Sequence, residues 1–289
     1  MKQATTVEDQ INEIKSRGLI LDIEEETVKS YFYIIGYYSL GFYLFPFEKT
    51  YPSLKNRTHV YKEGTLFSDV ILLYELNTEL RFIIQKYLGY FESYFKTLLI
   101  YKVSNRYKSN PTWFADGSIV KFNADNFNSI YCGLKRKHSA IINHHKNYRN
   151  VQYAPAWKTL EYLTFGQNQH LYKSLHSEKL KIEIAKSFQL KKHETFQNYL
   201  NNAVELRNIC AHGGPLFDYK SKTPIAKIAA ANVSAEYSET SLLYTIKHLA
   251  FSMKNINSID EDITNMFLLD VKNLINHSKF ARVRHFFIE

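Results

Sequence analysis

Apolar residues in this chain recur at spacings of three and four, and no strand-like alternation runs longer than four residues. That period belongs to helices with one face turned to a core. The longest periodic stretch runs from Ser68 to about Val103, where Leu72, Leu76, Leu80, Ile83, Ile84, Tyr87, Leu88, Phe91, Phe95, Leu98 and Leu99 build the broad apolar face of a central bundle helix. Ahead of it, residues 5–17 read as a first helix, with Thr5 and Glu8 as a capping box and Gly18 as the stop. Asp22 is expected to cap a second helix, with Glu25 in the reciprocal position and Val28, Tyr31, Phe32, Ile35 and Tyr38 on its apolar face. Gly36 and Gly41 permit a bend or close helix approach, Pro46 ends the segment, and polar residues 48–64 read as a loop and a boundary.

Beyond the central helix, residues 105–123 form a loop whose Trp113 and Phe114 are expected to dock on the core. A helix follows from about Asp125 to Tyr148. Pro155 opens another, from Ala156 to Phe165, which Gly166 is expected to interrupt before it continues to Leu175. Ser177–Phe188 and Thr195–His212 are helical, the latter stopped by Gly213-Gly214-Pro215. Residues 223–234 are Ala-rich and aperiodic, and closing helices fall near Ser238–Lys254 and Ser258–Asn276. The expected fold is therefore all-α, with an N-terminal helical segment, 1–65, packed on a helical domain, 66–289.

Composition changes this picture in few places. A chain of 289 residues with 45% hydrophobic content forms one large domain or two small ones. Ser30 to Phe47 carries no charge over 18 positions, which raises the question of a membrane span. Five tyrosines, two glycines and Pro46 within the run favour a buried helix pair and no membrane association. The net charge of +9 comes from 28 Lys against 9 Arg, a skew that reflects AT-rich coding as much as basicity. It still points to an anionic partner such as nucleic acid. Cys132 and Cys210 are far apart and form no CxxC pair, so neither a disulfide framework nor a zinc site is expected. With no basic-then-apolar leader at the start, a reducing cytoplasmic setting fits best.

The chemistry concentrates at Arg207-Asn208-Ile209-Cys210-Ala211-His212. Arginine offers a planar fork of donors for phosphate, and histidine moves protons near neutral pH. Together they can cleave RNA without metal or other cofactor: His212 assists attack by the ribose 2′-hydroxyl or protonates the leaving oxygen, while Arg207 stabilises the phosphate charge. The products of that route are a 2′,3′-cyclic phosphate and a 5′-hydroxyl. Five helical residues turn the chain by about 140°, so Arg207 and His212 do not share a face; they flank a cleft or meet counterparts from a second copy. Asn208, four before His212, is placed to orient it. By spacing alone, such a pair is more often a solvated helix end than a catalytic site. Cys210 reads as a small core residue. The basic stretch with Lys135, Arg136, Lys137, His144, Lys146 and Arg149, interleaved with Tyr131, Tyr148 and Tyr153, is a candidate RNA contact, and a solvated helix face is the competing reading. His138, His144, His145, His170 and His176 form no HExxH-like pattern, so no metal site is expected.

The hexapeptide RNICAH resembles the Arg-to-His signature of HEPN ribonucleases, including the polar residue after the Arg. Three further stretches resemble Abi-like (AbiD/AbiF type) abortive-infection proteins: Ile35 to Phe47, Leu73-Tyr74-Glu75-Leu76 to Arg81, and Trp157 to Gly166. They occur in the expected order. Gly213-Gly214-Pro215-Leu216-Phe217-Asp218 is an unusual continuation of the motif, and Glu75-Leu76-Asn77 departs from an expected acidic position. The resemblance implies a HEPN-type bundle and a toxin-like, metal-independent endoribonuclease in defence against phage. It also implies a homodimer through the motif helix and a possible antitoxin, with Arg207 and His212 catalytic and Asn208 orienting them. Trp157 and Phe165 are expected in the core, with Gly166 as a helix break. The rival is a non-catalytic RNA-binding or scaffold protein that holds a small regulatory RNA.

Overall fold

Thr6 starts the first helix one residue later than the sequence signal indicates: its hydroxyl accepts from the Asp9 amide, and the Asp9 carboxylate accepts from the Thr6 amide. The computed structural model describes residues 3–121, 124–231, 233, 237–256 and 262–288. The chain clusters into two compact units, residues 1–83, 209–220 and 269–289 in one and 84–208 and 221–268 in the other. Among the described residues every extended element is a helix, and β pairing is confined to isolated bridges.

In the first unit, α1 (Val7–Ser16) buries Ile11 and Ile14, and Gly18 turns the chain at a positive φ of 93°. The uncharged run becomes two short helices, α2 (Glu25–Ile35) and α3 (Tyr37–Leu44), separated by Gly36 at φ 83° and closed by a 3-10 turn through Pro46. No helix among the described residues is long and apolar enough to cross a membrane. The pair is not wholly buried, contrary to expectation. Val28, Phe32, Leu40, Tyr43 and Leu44 face inward, whereas Tyr33, Ile34 and Tyr38 are 73–83% exposed. Each short helix packs only one face, and a 3.6-residue period leaves the intervening positions outside whatever their polarity. The long helix α4 (Phe67–Arg106) begins in this unit. Asp22 does not cap α2; it accepts from the backbone amide and hydroxyl of Ser68 in the first turn of α4. The C-terminal residues hold the same stretch of α4 through Lys279–Glu75 at 2.9 Å and Arg282–Asp69 at 2.8 Å.

The second unit is built on the rest of α4, whose Tyr87, Leu88, Phe91, Phe95 and Leu99 are buried. The expected single helix over 125–148 divides into α5 (Ala124–Lys137) and α6 (Ser139–Asn147), because His138 is extended at φ −111°, ψ 115°. A single turn, α7 (Ala156–Thr159), leads through a 3-10 turn to α8 (Phe165–Ser174). The break falls before Thr164, which caps α8 reciprocally with Gln167; Gly166 sits inside the helix, where an added Cβ would touch Val204. Ser177 caps α9 (Glu178–Lys186), and α10 (His193–Ala211), α11 (Leu242–Ser252) and α12 (Ile263–Ile275) follow. The Ser258 start expected for the last helix lies outside the described residues.

Phe91, Phe95, Phe165, Tyr172, Phe188 and Phe196 form one aromatic core, with Phe188 stacked on Phe196 at 4.5 Å between ring centres. Trp113 and Phe114 dock as expected, the indole donating to Ser104 Oγ at 3.0 Å. Trp157 does not join them. It is 51% exposed, because the one-turn α7 turns Ala156, Thr159 and Leu160 inward instead.

Candidate functional site

Leu200, Ala203, Leu206 and Cys210 are the buried stripe of α10, which leaves Arg207 and Asn208 toward solvent. Arg207 and Asn208 belong to the second unit and His212 to the first. The Arg207 guanidinium is half-exposed and held from two sides: Nε lies 3.4 Å from Glu92 Oε2 on α4, and Nη1 donates to Asn208 Oδ1 at 3.3 Å. At such exposure an ion pair adds little stability, but it sets the direction of the guanidinium. Among the described residues its other N–H groups have no partner, and such donors suit phosphate oxygens. Asn208 therefore meets Arg207, and among the described residues no hydrogen bond joins it to His212, which it was expected to orient.

His212 is the last residue before the helix stops. The Gly214 amide donates to Ile209 O at 2.9 Å and the Gly213 amide to Cys210 O at 3.4 Å, the two bonds of a Schellman stop, with Gly213 at φ 76°. The imidazole is exposed there. Cys210 is buried, as expected of a core residue, and burial pushes its thiol up to about 12, so it is not a thiolate nucleophile near neutral pH.

The unusual continuation after the motif lies against two residues of α4, Asn77 and Arg81. Asn77 is fully buried; its Oδ1 accepts from the Leu216 amide at 2.7 Å, and its Nδ2 donates to Tyr43 Oη at 2.9 Å and Gly214 O at 3.4 Å. A neutral amide can both donate and accept, which a carboxylate in its place cannot do. Arg81 donates to Thr78 Oγ1 at 2.8 Å while its Nε is buried without a partner, and a Cβ on Gly213 would stand 2.9 Å from Arg81 Nη1. Tyr43 on α3 and Asn77 and Arg81 on α4 are all distant in sequence from the turn after His212 and lie close to it. The available signal for Asn77 was an amide interrupting the apolar stripe of Leu73, Leu76 and Leu80. Nothing local marks Glu92.

The basic candidates are not brought to that helix end as a group. Lys135, Arg136 and Lys137 are exposed in the last turn of α5, and Lys146 and Arg149 are exposed at and beyond the end of α6. His144 is buried and stacked on Tyr148 at 4.8 Å. Burial, and then nearby Lys158, lowers its pKa. His145 Nε2 lies 2.8 Å from Tyr131 Oη, which also accepts from the Ala154 amide. Burial, then Lys135 and His144, lowers its pKa too. Among the described residues no three His, Cys, Asp or Glu side chains are grouped to hold a metal ion.

The family model described as Abi-like protein matches residues 30–218, and the chain belongs to that family. No curated protein and no solved structure matches it.

Proposed function

We propose that this Abi-like protein is a metal-independent endoribonuclease of an abortive-infection system. His212 carries the proton transfers, Arg207 stabilises the phosphate and Asn208 orients the guanidinium. The reading is carried by one observation: the chain ends α10 with an exposed imidazole at a glycine-locked stop, in a motif whose Arg is held yet partly open to solvent. Attack by the 2′-hydroxyl requires one group to move a proton and another to stabilise the phosphorane charge, and these two residue types supply both. Two copies of the motif helix meeting in a homodimer would bring two such pairs to one RNA. The test is cleavage of RNA in EDTA by wild type, His212→Ala and Arg207→Ala, with the product ends identified. The expected outcome is a 2′,3′-cyclic phosphate and a rate reduced about 10²- to 10⁴-fold by His212→Ala. Equal cleavage by wild type and His212→Ala excludes the assigned residue. A strictly monomeric active protein, measured by sedimentation, excludes the dimer.

The second reading, a non-catalytic RNA scaffold, is favoured by the exposed Lys135, Arg136, Lys137, Lys146 and Arg149. It gains if wild type and His212→Ala bind RNA alike and neither cuts it.

A further inference from the structure

Trp157, expected in the core, stands half out of it, and Tyr101 on α4 is 65% exposed. The two rings line one cleft of about 260 Å³, together with Ile100, Ser104, Asn105 and Glu161. Both lie in the second unit. The volume falls just short of the range of about 300–1,000 Å³ typical of pockets for whole cofactors or drug-sized ligands, which suits a single flat heterocycle. Glu161, the one carboxylate of the cleft, is neutralised: Lys96 Nζ lies 3.0 Å from its Oε2 and donates to its backbone carbonyl at 3.1 Å. Tyr101 and Asn105 also line an adjoining cleft that holds Lys102, Arg106 and Lys179 against a single acidic side chain, Glu183. None of those three cations is in an ion pair among the described residues.

We propose that the Trp157–Tyr101 cleft binds an unpaired nucleobase of single-stranded RNA, with Lys102, Arg106 and Lys179 on the neighbouring phosphates. Exposed aromatic faces beside unpaired cations are the means by which proteins hold single strands without reading sequence, since every base has a face to stack. A paired base has no free face to offer, so the cleft selects single-stranded over duplex RNA. The proposal rests on the reading of this chain as an RNA-acting protein and gives that protein its substrate form.

The test uses the full chain carrying His212→Ala, so that bound RNA is not cut. The chain has two tryptophans and Trp113 is buried, so quenching of tryptophan emission by a short single-stranded RNA reports Trp157. Quenching by the single strand and not by its duplex is expected. Trp157→Ala is expected to weaken binding of labelled RNA roughly 5- to 150-fold, and Trp157→Phe less, since a smaller ring still stacks. Lys102→Ala with Arg106→Ala should lower the slope of log affinity against log salt by roughly 1.4. Unquenched emission, or Trp157→Ala binding as tightly as its parent, overturns the proposal. So does a loss of dimer in Trp157→Ala by sedimentation, which would mean that a second copy covers the cleft. If RNA is bound through Trp157 but the wild type cuts nothing, the cleft stands and the nuclease reading falls. If the wild type cuts RNA and Trp157→Ala binds it unchanged, the reverse holds.

Discussion

Two helices of this protein end in histidine, and their surroundings give those histidines opposite properties. At the end of α6, His144 is buried against Tyr148 and His145 lies beside Tyr131, and burial, followed by nearby cationic groups, lowers the pKa of both. At the end of α10, the Schellman turn leads the chain away and leaves His212 exposed. In sequence the α6 segment, with His144, His145 and Lys146 together, is the denser in basic residues. The comparison teaches that packing, not residue count, decides which imidazole is open to solvent.

The strongest way to break the comparison is to exchange the roles. His212→Ala is expected to remove RNA cleavage about 10²- to 10⁴-fold, whereas His144→Ala should leave the rate per folded molecule within about twofold. A larger loss at His144, measured in single-turnover assays, would reverse the assignment of the two helix ends.

Next in size is the support beneath His212. Asn77→Ala strands the Leu216 amide in a buried setting and also removes the bond to Tyr43, so a loss of about 2–4 kcal/mol is expected from urea denaturation. Asn77→Asp should fare no better, since a carboxylate cannot donate to Gly214 O or Tyr43. Gly213→Ala tests the stop itself. A non-glycine residue at φ 76°, with Arg81 Nη1 2.9 Å from the new Cβ, should cost about 1–2 kcal/mol and lower cleavage by displacing His212. Unchanged stability and rate would show that the turn does not hold the imidazole in place.

The smallest effect sharpens the other side. His144 and His145 have pKa values below the usual 6.5 or so when folded, so the unfolded chain binds more protons as the pH falls. Their contribution to stability is complete above about pH 6.5 and declines below it. His144→Leu should flatten that part of the stability curve, read as denaturation midpoints between about pH 7 and 5.

Much of this was legible in the chain. The apolar stripe of α4, the start of α9 near Ser177 and the glycine stop after His212 depend on residues within a few positions of one another, and all are present, as is the docking of Trp113 and Phe114 on the core. Where the outcome turned on packing between distant segments, several expectations did not hold. Asp22 caps α4 rather than α2, His138 divides a helix that the residue pattern runs through, and Trp157 lies on the surface although its neighbours in the same segment are buried. The two compact units likewise draw on interleaved stretches that no boundary in the composition announces.

By itself, the sequence determined that this protein is helical, where most helices start and stop, and which residue types end α10. Those outcomes follow from spacings of three and four and from the backbone freedom of glycine, which are local physics. Only the tertiary structure decided that Asn77 fastens the turn after the motif, that Glu92 and Asn208 aim Arg207, and that His144 is packed while His212 is open. Such pairings depend on which helix covers which face. A helix presents the same side chains to its own neighbours in any fold, and only packing settles which of them meet water.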